Sequence, residues 1–356
     1  MKVLTIVGAR PQFIKAAPVS RVLRRRNDEF LLHTGQHYDD EMSELFFRQL
    51  SIPAPDLNLE VGSGRHGAQT GAMLPGIESV AIEQKPDWLL VYGDTNSTLA
   101  GALVGAKLHV PVAHVEAGLR SFDRHMPEEV NRVVADHLAS LLLCPTDVAV
   151  DNLEREGIRR GVQVVGDVMF DAFLQNVEVA RKTCTVLRDL GLERGGYQLL
   201  TIHRAENVDD PEKLASILEG VGASRRPVVF PAHPRTGAAV RSTGARVPDN
   251  VRMIDPVGYL EMLVLEDNAE AIVTDSGGVQ KEAYFAGRPC ITLRGTTEGT
   301  ETVEGKWNVL VGTDPERIAS AMRDFRPHGE RRPFYGEGRA AEHVVAALES
   351  SPTTNP

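Results

Sequence analysis

Short apolar runs alternate with longer amphipathic stretches along the whole chain. Runs at Val3–Val7, Phe30–His33, Trp88–Tyr92, Val112–His114, Leu141–Cys144 and Val162–Val165 predict a first set of strands. Runs at Gln198–Ile202, Val228–Pro231, Val251–Ile254, Ala271–Thr274, Cys290–Thr292 and Val309–Val311 predict a second. Helical spacing fills most gaps, for example at Thr98–Leu108, Glu128–Ala139, Pro211–Gly220 and Val279–Ala286. Near-continuous hydrophobic strands separated by helices indicate βαβ units and parallel sheets buried on both faces. Charged, glycine-rich sequence at Arg188–Gly196 separates the sets, so a domain boundary falls between about Gly166 and Gly196. The economical reading is α/β, with two similar domains facing each other across a cleft. The tail Ser350–Pro356 is expected to be disordered.

Composition narrows the function without naming it. A length of 356 residues suits about two domains. A formal net charge of -10 argues against non-specific nucleic-acid binding, which needs a basic surface. It leaves room for an anionic small ligand, because local arginines and helix N-termini can outweigh the global charge. Cys144, Cys184 and Cys290 are odd in number and far apart. They fit neither a disulfide framework nor a metal site, and point to a reducing, cytoplasmic location. The opening M-K-V-L-T-I-V-G-A-R-P has too short an apolar run for a secretory signal, and no window approaches the roughly 20 apolar residues of a membrane span. A soluble protein with no membrane partner is expected.

The candidate chemistry concentrates between Val91 and Arg132, in V-Y-G-D-T-N-S, H-V-E-A-G-L-R and M-P-E-E-V-N-R. Asp94 and Glu116 follow strands, and Glu128 opens a helix. Carboxylates at strand ends of an α/β protein point towards ligands. Several together can divide acid and base roles if their environments differ. One βα unit separates Asp94 from Glu116, so they should end adjacent or near-adjacent strands. Arg120 and Arg132 are candidate counter-ions, and His114 reads as completing its strand. Glu128 also has a plain explanation, as an acidic residue favoured by a helix start. Arg10, after the first strand, and Lys15, on the next helix, supply positive charge, although a single lysine ordinarily decorates a solvated face. No G-x-G-x-x-G occurs, which disfavours hydride transfer.

In the second half, Ala271–Gly278 runs a buried strand into Ser276-Gly277-Gly278 at a helix start, where backbone N–H groups and the helix dipole favour an anion. An ordinary tight turn would explain S-G-G alone; the strand–turn–helix setting favours a pyrophosphate. Glu282, on the first turns of that helix, could accept ribose hydroxyls. His203 follows another strand and could reach a phosphate or a leaving group, though histidines at strand ends are more often structural. His233 is read as structural.

Taken in order, G-A-R-P-Q-F-I-K, G-D-T-N-S-T-L-A-G, H-V-E-A-G-L-R, P-E-E-V-N-R and T-D-S-G-G-V-Q-K-E-A resemble the non-hydrolysing UDP-N-acetylglucosamine 2-epimerases over nearly the whole chain. The resemblance implies a glycosyltransferase-B-like fold of two Rossmann-like domains. We place them at 1–170 and 171–336, with a C-terminal helix near 337–350 packing back on the first. It implies that Ser276, Gly277 and Gly278 hold the diphosphate, Glu282 the ribose, and that Arg10 reaches the phosphates, with Arg132 also in the binding group. Lys15, Asp94, Glu116, Glu128 and His203 would form the catalytic group. No cofactor and no metal are expected, and a homodimer is implied. The reaction implied is inversion of C2 of a UDP-acetamido sugar by elimination and re-addition of UDP, supplying polysaccharide synthesis. T-G-Q-H-Y-D-D at Thr34–Asp40 is closer to the branch that includes 2-epimerases of UDP-2,3-diacetamido-glucuronate. Gly299 stands where familiar members carry an arginine or a bulky residue, which bears on substrate choice.

Overall fold

The computed structural model describes residues 1–36, 52–244 and 246–352. Residues 37–40 of T-G-Q-H-Y-D-D and the end of the tail, 353–356, lie outside the described residues. The chain forms two compact units, Met1–Leu174 with Pro333–Pro356, and Gln175–Arg332.

The first unit runs β1 (Lys2–Val7), α1 (Arg10–Leu23), β2 (Asp28–His33), β3 (Leu57–Asn58), α2 (His66–Gln84), β4 (Trp88–Tyr92), α3 (Asn96–Leu108), β5 (Val112–Val115), α4 (Pro127–Leu138), β6 (Leu141–Cys144), α5 (Asp147–Arg155) and β7 (Val162–Val164). Among the described residues its sheet has seven strands in the order β3-β2-β1-β4-β5-β6-β7. All pairings are parallel. Every residue of β4 is buried, as an unbroken W-L-L-V-Y run requires of a strand covered on both faces. Leu4, Ile6, Leu89 and Val91 pack with Met73 and Ile77 of α2 and with Ala100 and Val104 of α3. Each buried Leu, Ile, Val or Met among them contributes about 1.5–3 kcal/mol by leaving water. The approach of α3 to the sheet depends on Gly105, where a Cβ would run into Cγ2 of Val112.

The boundary between the units falls inside α6 (Val168–Thr183). In the second unit follow α7 (Val186–Leu190), β8 (Gln198–Thr201), α8 (Ala205–Val208), α9 (Pro211–Gly222), β9 (Val228–Pro231), α10 (Pro234–Thr243), β10 (Val251–Ile254), α11 (Tyr259–Asn268), β11 (Ile272–Thr274), α12 (Gly277–Phe285), β12 (Cys290–Thr292), α13 (Thr300–Glu304), β13 (Asn308–Leu310) and α14 (Pro315–Asp324). The strands pair in parallel in the order β10-β9-β8-β11-β12-β13. Leu200, Phe230, Val273 and Ile291 join Leu214 and Ile217 of α9 and Ile318 of α14 in one core. The final helix, α15 (Ala340–Ser350), belongs to the first unit. The Asp171 carboxylate accepts the Ala340 and Ala341 N–H groups at 3.0 and 2.8 Å and so caps its start.

Strand order shows where such a fold would take a ligand. A doubly wound sheet opens a crevice beyond the carboxyl ends of the two strands where the winding reverses. That point lies between β1 and β4 in the first unit and between β8 and β11 in the second. No helix among the described residues is long and apolar enough to cross a membrane.

Candidate active site

In the first unit the residues after β1, β4 and β5 are tied to one another. The side-chain oxygen of Gln12 accepts the Gly8 and Ala9 N–H groups at 2.8 and 3.1 Å, so it caps the start of α1 from within. Its amide donates to the Tyr92 carbonyl at 2.9 Å, which joins the β1 loop to the end of β4. One turn further along α1, Lys15 is buried and forms an ion pair with Glu116. It is therefore no solvated surface lysine. Gly93, with φ of +61°, makes room for the pair: a Cβ there would lie 3.0 Å from Glu116 Oε2 and 3.1 Å from Lys15 Nζ. Glu116 itself holds φ of +70°, a left-handed conformation uncommon for a residue with a side chain.

Asp94 and Glu116 follow β4 and β5, which pair directly. Asp94 is held by Arg132 of α4, and the Asn131 amide donates to the Asp94 carbonyl at 2.9 Å. The two carboxylates thus have separate cations. Arg120 does not serve as a counter-ion to Asp94, Glu116 or Glu128. It forms a two-pronged pair with Glu156 at 2.7 Å and a third contact with Asp136 at 2.7 Å.

The adjacent glutamates of M-P-E-E-V-N-R part company. Glu129 is buried and accepts Ser121 N, Ser121 Oγ and Phe122 N, each at 2.9 Å, as well as Arg132 Nη1 at 2.9 Å. It holds the loop before α4 and the arginine that holds Asp94. Sequence reasoning misses it, because acidic residues at a helix start look alike until one is seen to be buried. Glu128 is exposed on the first turn of α4. As a helix-start residue it would contribute about 0.3–1 kcal/mol. Glu128→Gln is therefore expected to leave the melting temperature within a few degrees of the native value. A large fall in kcat on that background would assign Glu128 to chemistry, and native turnover would leave it only the helix start.

In the second unit Asp275 organises the loops after β8 and β11. Fully buried, it accepts the N–H groups of His203 at 3.1 Å and Arg204 at 3.1 Å, and the Asn207 amide at 3.0 Å. His203 Nδ1 lies 3.0 Å from Asp275 Oδ1, while the imidazole is about half exposed. Burial alone would raise the Asp275 pKa; hydrogen bonds from His203 and Asn207 and the Arg204 N–H override it and hold the carboxyl below its usual range. The Ser276 side chain accepts Val279 N–H at 3.4 Å and caps α12, so Gly277 and Gly278 are its first residues, with backbone donors left over for an anion. Glu282 is buried on the same helix. Glu266 of α11 is fully buried with no side-chain hydrogen bond among the described residues, and burial, together with the charge of Glu282, pushes its carboxyl well above the usual range.

Arg294 grips Glu298 with two bonds of 2.9 and 3.0 Å, and a Cβ at Gly277 would sit 3.5 Å from Glu298 Oε2. The carboxylate bordering the glycine turn thereby has its charge offset. Gly299 precedes α13 and its carbonyl accepts the Thr302 N–H at 3.1 Å. His233 caps α10, with Nδ1 accepting Arg235 N–H at 3.3 Å, a structural role. Arg10 is exposed at the start of α1. Burial pushes the Cys144 and Cys290 thiols up to about 12, so neither supplies a thiolate near neutral pH.

The family model described as UDP-N-acetylglucosamine 2-epimerase matches residues 21–349. The chain is 51% identical to a UDP-N-acetylglucosamine 2-epimerase homolog of Methanococcus maripaludis, over 98% of this chain and 100% of that one. It is 48% identical to the UDP-2,3-diacetamido-2,3-dideoxy-D-glucuronate 2-epimerase of Pseudomonas aeruginosa, over 98% and 99%. The crystal structure of Methanocaldococcus jannaschii UDP-GlcNAc 2-epimerase, in complex with UDP-GlcNAc and UDP, superposes with a TM-score of 0.91 at 46% identity, covering 99% of this chain and 100% of that one. The fold is glycosyltransferase-B-like.

Proposed function

The chain belongs to the UDP-N-acetylglucosamine 2-epimerase family, and from that premise we propose that it inverts C2 of a UDP-acetamido sugar, interconverting the gluco and manno forms. The C2 proton is not acidic, because no ring carbonyl stands beside it. Elimination resolves the difficulty. A carboxylate takes the C2 proton, a C1–C2 double bond forms, and the C1–O bond breaks with its electrons leaving on UDP. A proton then returns to the opposite face of C2 while UDP re-adds at C1. Such a reaction needs carboxylates for proton transfer and cations or N–H donors for the departing diphosphate.

The observation that carries this reading is that Asp94 and Glu116 follow two directly paired strands, β4 and β5, and have separate cations, Arg132 and Lys15. Different partners are what two carboxylates need to take different roles. In this reading Asp94, Glu116 and Glu128 form the acid–base group, Lys15 orients Glu116, and His203 assists the leaving group. Ser276, Gly277 and Gly278 take the diphosphate, Glu282 the ribose, and Arg10 and Arg132 help bind the anionic substrate. The enzyme would work in the cytoplasm as a homodimer, supplying a manno-configured sugar to polysaccharide synthesis, with no metal or cofactor. Light scattering on the purified protein tests the dimer.

The function is tested by incubation with UDP-N-acetylglucosamine in heavy water. Deuterium at C2 of recovered substrate and product is expected. No exchange with that sugar or with UDP-2,3-diacetamido-glucuronate would overturn the reading, and transfer to an acceptor without exchange would make the protein a glycosyltransferase. The 48% identity to the Pseudomonas enzyme favours the diacetamido uronate as a second reading, and side-by-side turnover of the two sugars decides between them. Ser276→Ala is expected to weaken UDP binding about tenfold, equivalent to ~1.4 kcal/mol. Calorimetry with UDP checks this, and native affinity would remove Ser276 from the diphosphate site.

A further inference from the structure

His114 lies in the middle of β5 and is fully buried, a place where a polar ring needs both nitrogens satisfied. Nε2 is 2.7 Å from the carbonyl oxygen of Gly93, the residue before Asp94. Nδ1 is 2.7 Å from Oδ1 of Asp136 on α4. A carbonyl can only accept, so Nε2 carries a proton. The other Asp136 oxygen accepts the Gly118 N–H at 3.1 Å and Arg120 Nη1 at 2.7 Å. A carboxyl receiving a guanidinium and a backbone N–H is ionised, and an ionised carboxylate also only accepts. Both imidazole nitrogens therefore face acceptors. With a charged His114 the group would close to neutrality, His114 and Arg120 against Asp136 and Glu156.

This network touches both loops that bear the acid–base carboxylates. It fixes the Gly93 carbonyl on one side, and Gly93 packs against the Lys15–Glu116 pair. On the other it fixes the Gly118 N–H, two residues beyond Glu116, whose left-handed backbone needs such a hold. We infer that His114 is a buried imidazolium that acts as a positioning residue, setting Asp94 and Glu116 through the Gly93 carbonyl and the Asp136 carboxylate. Burial opposes ionisation of Asp136, and the His114 and Arg120 charges override it, holding that carboxyl below its usual range. The inference rests on the proposed epimerase reading for its consequence, and on hydrogen-bond geometry alone for the protonation state.

Two measurements test it on the full-length protein. Nitrogen-15 NMR of the histidine rings, with His114 assigned from His114→Gln, should show both its nitrogens protonated at neutral pH. One bare nitrogen at neutral pH would overturn the inference, whether or not the protein proves to be an epimerase. Kinetically, His114→Gln should lose about 10²-fold in kcat, the scale of an ångström-sized misplacement, with UDP affinity unchanged. A folded variant with native kcat would also overturn it. Should that variant fail to fold, Asp136→Asn preserves the shape while removing the counter-charge. His114 should then lose its Nδ1 proton, and a ring that stays doubly protonated would count against the inference. Failure of C2 exchange in the native protein would sink the epimerase reading while leaving the NMR result standing.

Discussion

Glu116→Gln is expected to lower kcat by about 10²–10⁴-fold, the range for removing a general acid or base, while UDP still binds. The amide keeps the size of the carboxylate but can neither take a proton nor balance Lys15. The change falls in a buried setting, since both partners of the Lys15–Glu116 pair are largely shielded from water. Removing one member of such a pair is strongly destabilising, because the other charge is left uncompensated. A stability loss should therefore accompany the kinetic one. The two are separable. Lys15→Met on the Glu116→Gln background removes the stranded charge, so it should recover melting temperature without recovering turnover. Turnover within a few-fold of native in folded Glu116→Gln would remove Glu116 from the acid–base group and leave it a structural partner of Lys15. The C2 exchange assay gives a second reading, because a missing base abolishes exchange from one epimer more than from the other.

The sheets are legible in the sequence because buried parallel strands are near-continuous apolar runs, unbroken at β4, β6 and β9 and interrupted by a single polar residue at β7 and β10. The edge strand β3 is not, since Leu57–Asn58 is too short to show a period. In the site, Asp94 and Glu116 are readable because a βα unit between them forces neighbouring strands. Their partners are harder to read. Lys15 looks like any helix lysine until the Gly93 turn brings Glu116 beneath it. Glu129 and Glu128 are adjacent and chemically identical, and only the path of the 121–126 loop decides which turns inward. His114 reads as core because its role lies in what both ring nitrogens touch, and those contacts come from α4 and from the end of β4. Asp275 is less conspicuous than Ser276 for a similar reason. Its bonds run to backbone N–H groups of another loop, and no residue type advertises that.

Asp275→Asn is expected to destabilise the second unit strongly. The native carboxylate collects the His203 and Arg204 N–H groups and the Asn207 amide, all donors. An asparagine offers one acceptor oxygen and turns an NH₂ group towards the rest. A buried donor left unmatched costs about 1–3 kcal/mol, so a loss of roughly 3 kcal/mol is expected. For a protein of 356 residues that lowers Tm by about 4 °C. The loss should also carry a pH signature. The folded-state pKa of Asp275 is depressed, so between the folded and unfolded values the unfolded chain binds more protons and stability rises with pH. The native protein holds this contribution above about pH 4, the ordinary carboxylate value, and loses it as pH falls through the folded value. In Asp275→Asn that part of the acid limb should be flatter, and urea midpoints measured from about pH 3 to pH 7 read it directly. Because His203 loses its acceptor along with its loop, UDP affinity and turnover should both decline. An unchanged Tm with an unchanged acid limb would mean that other contacts hold the loops after β8 and β11, and that Asp275 does not organise them.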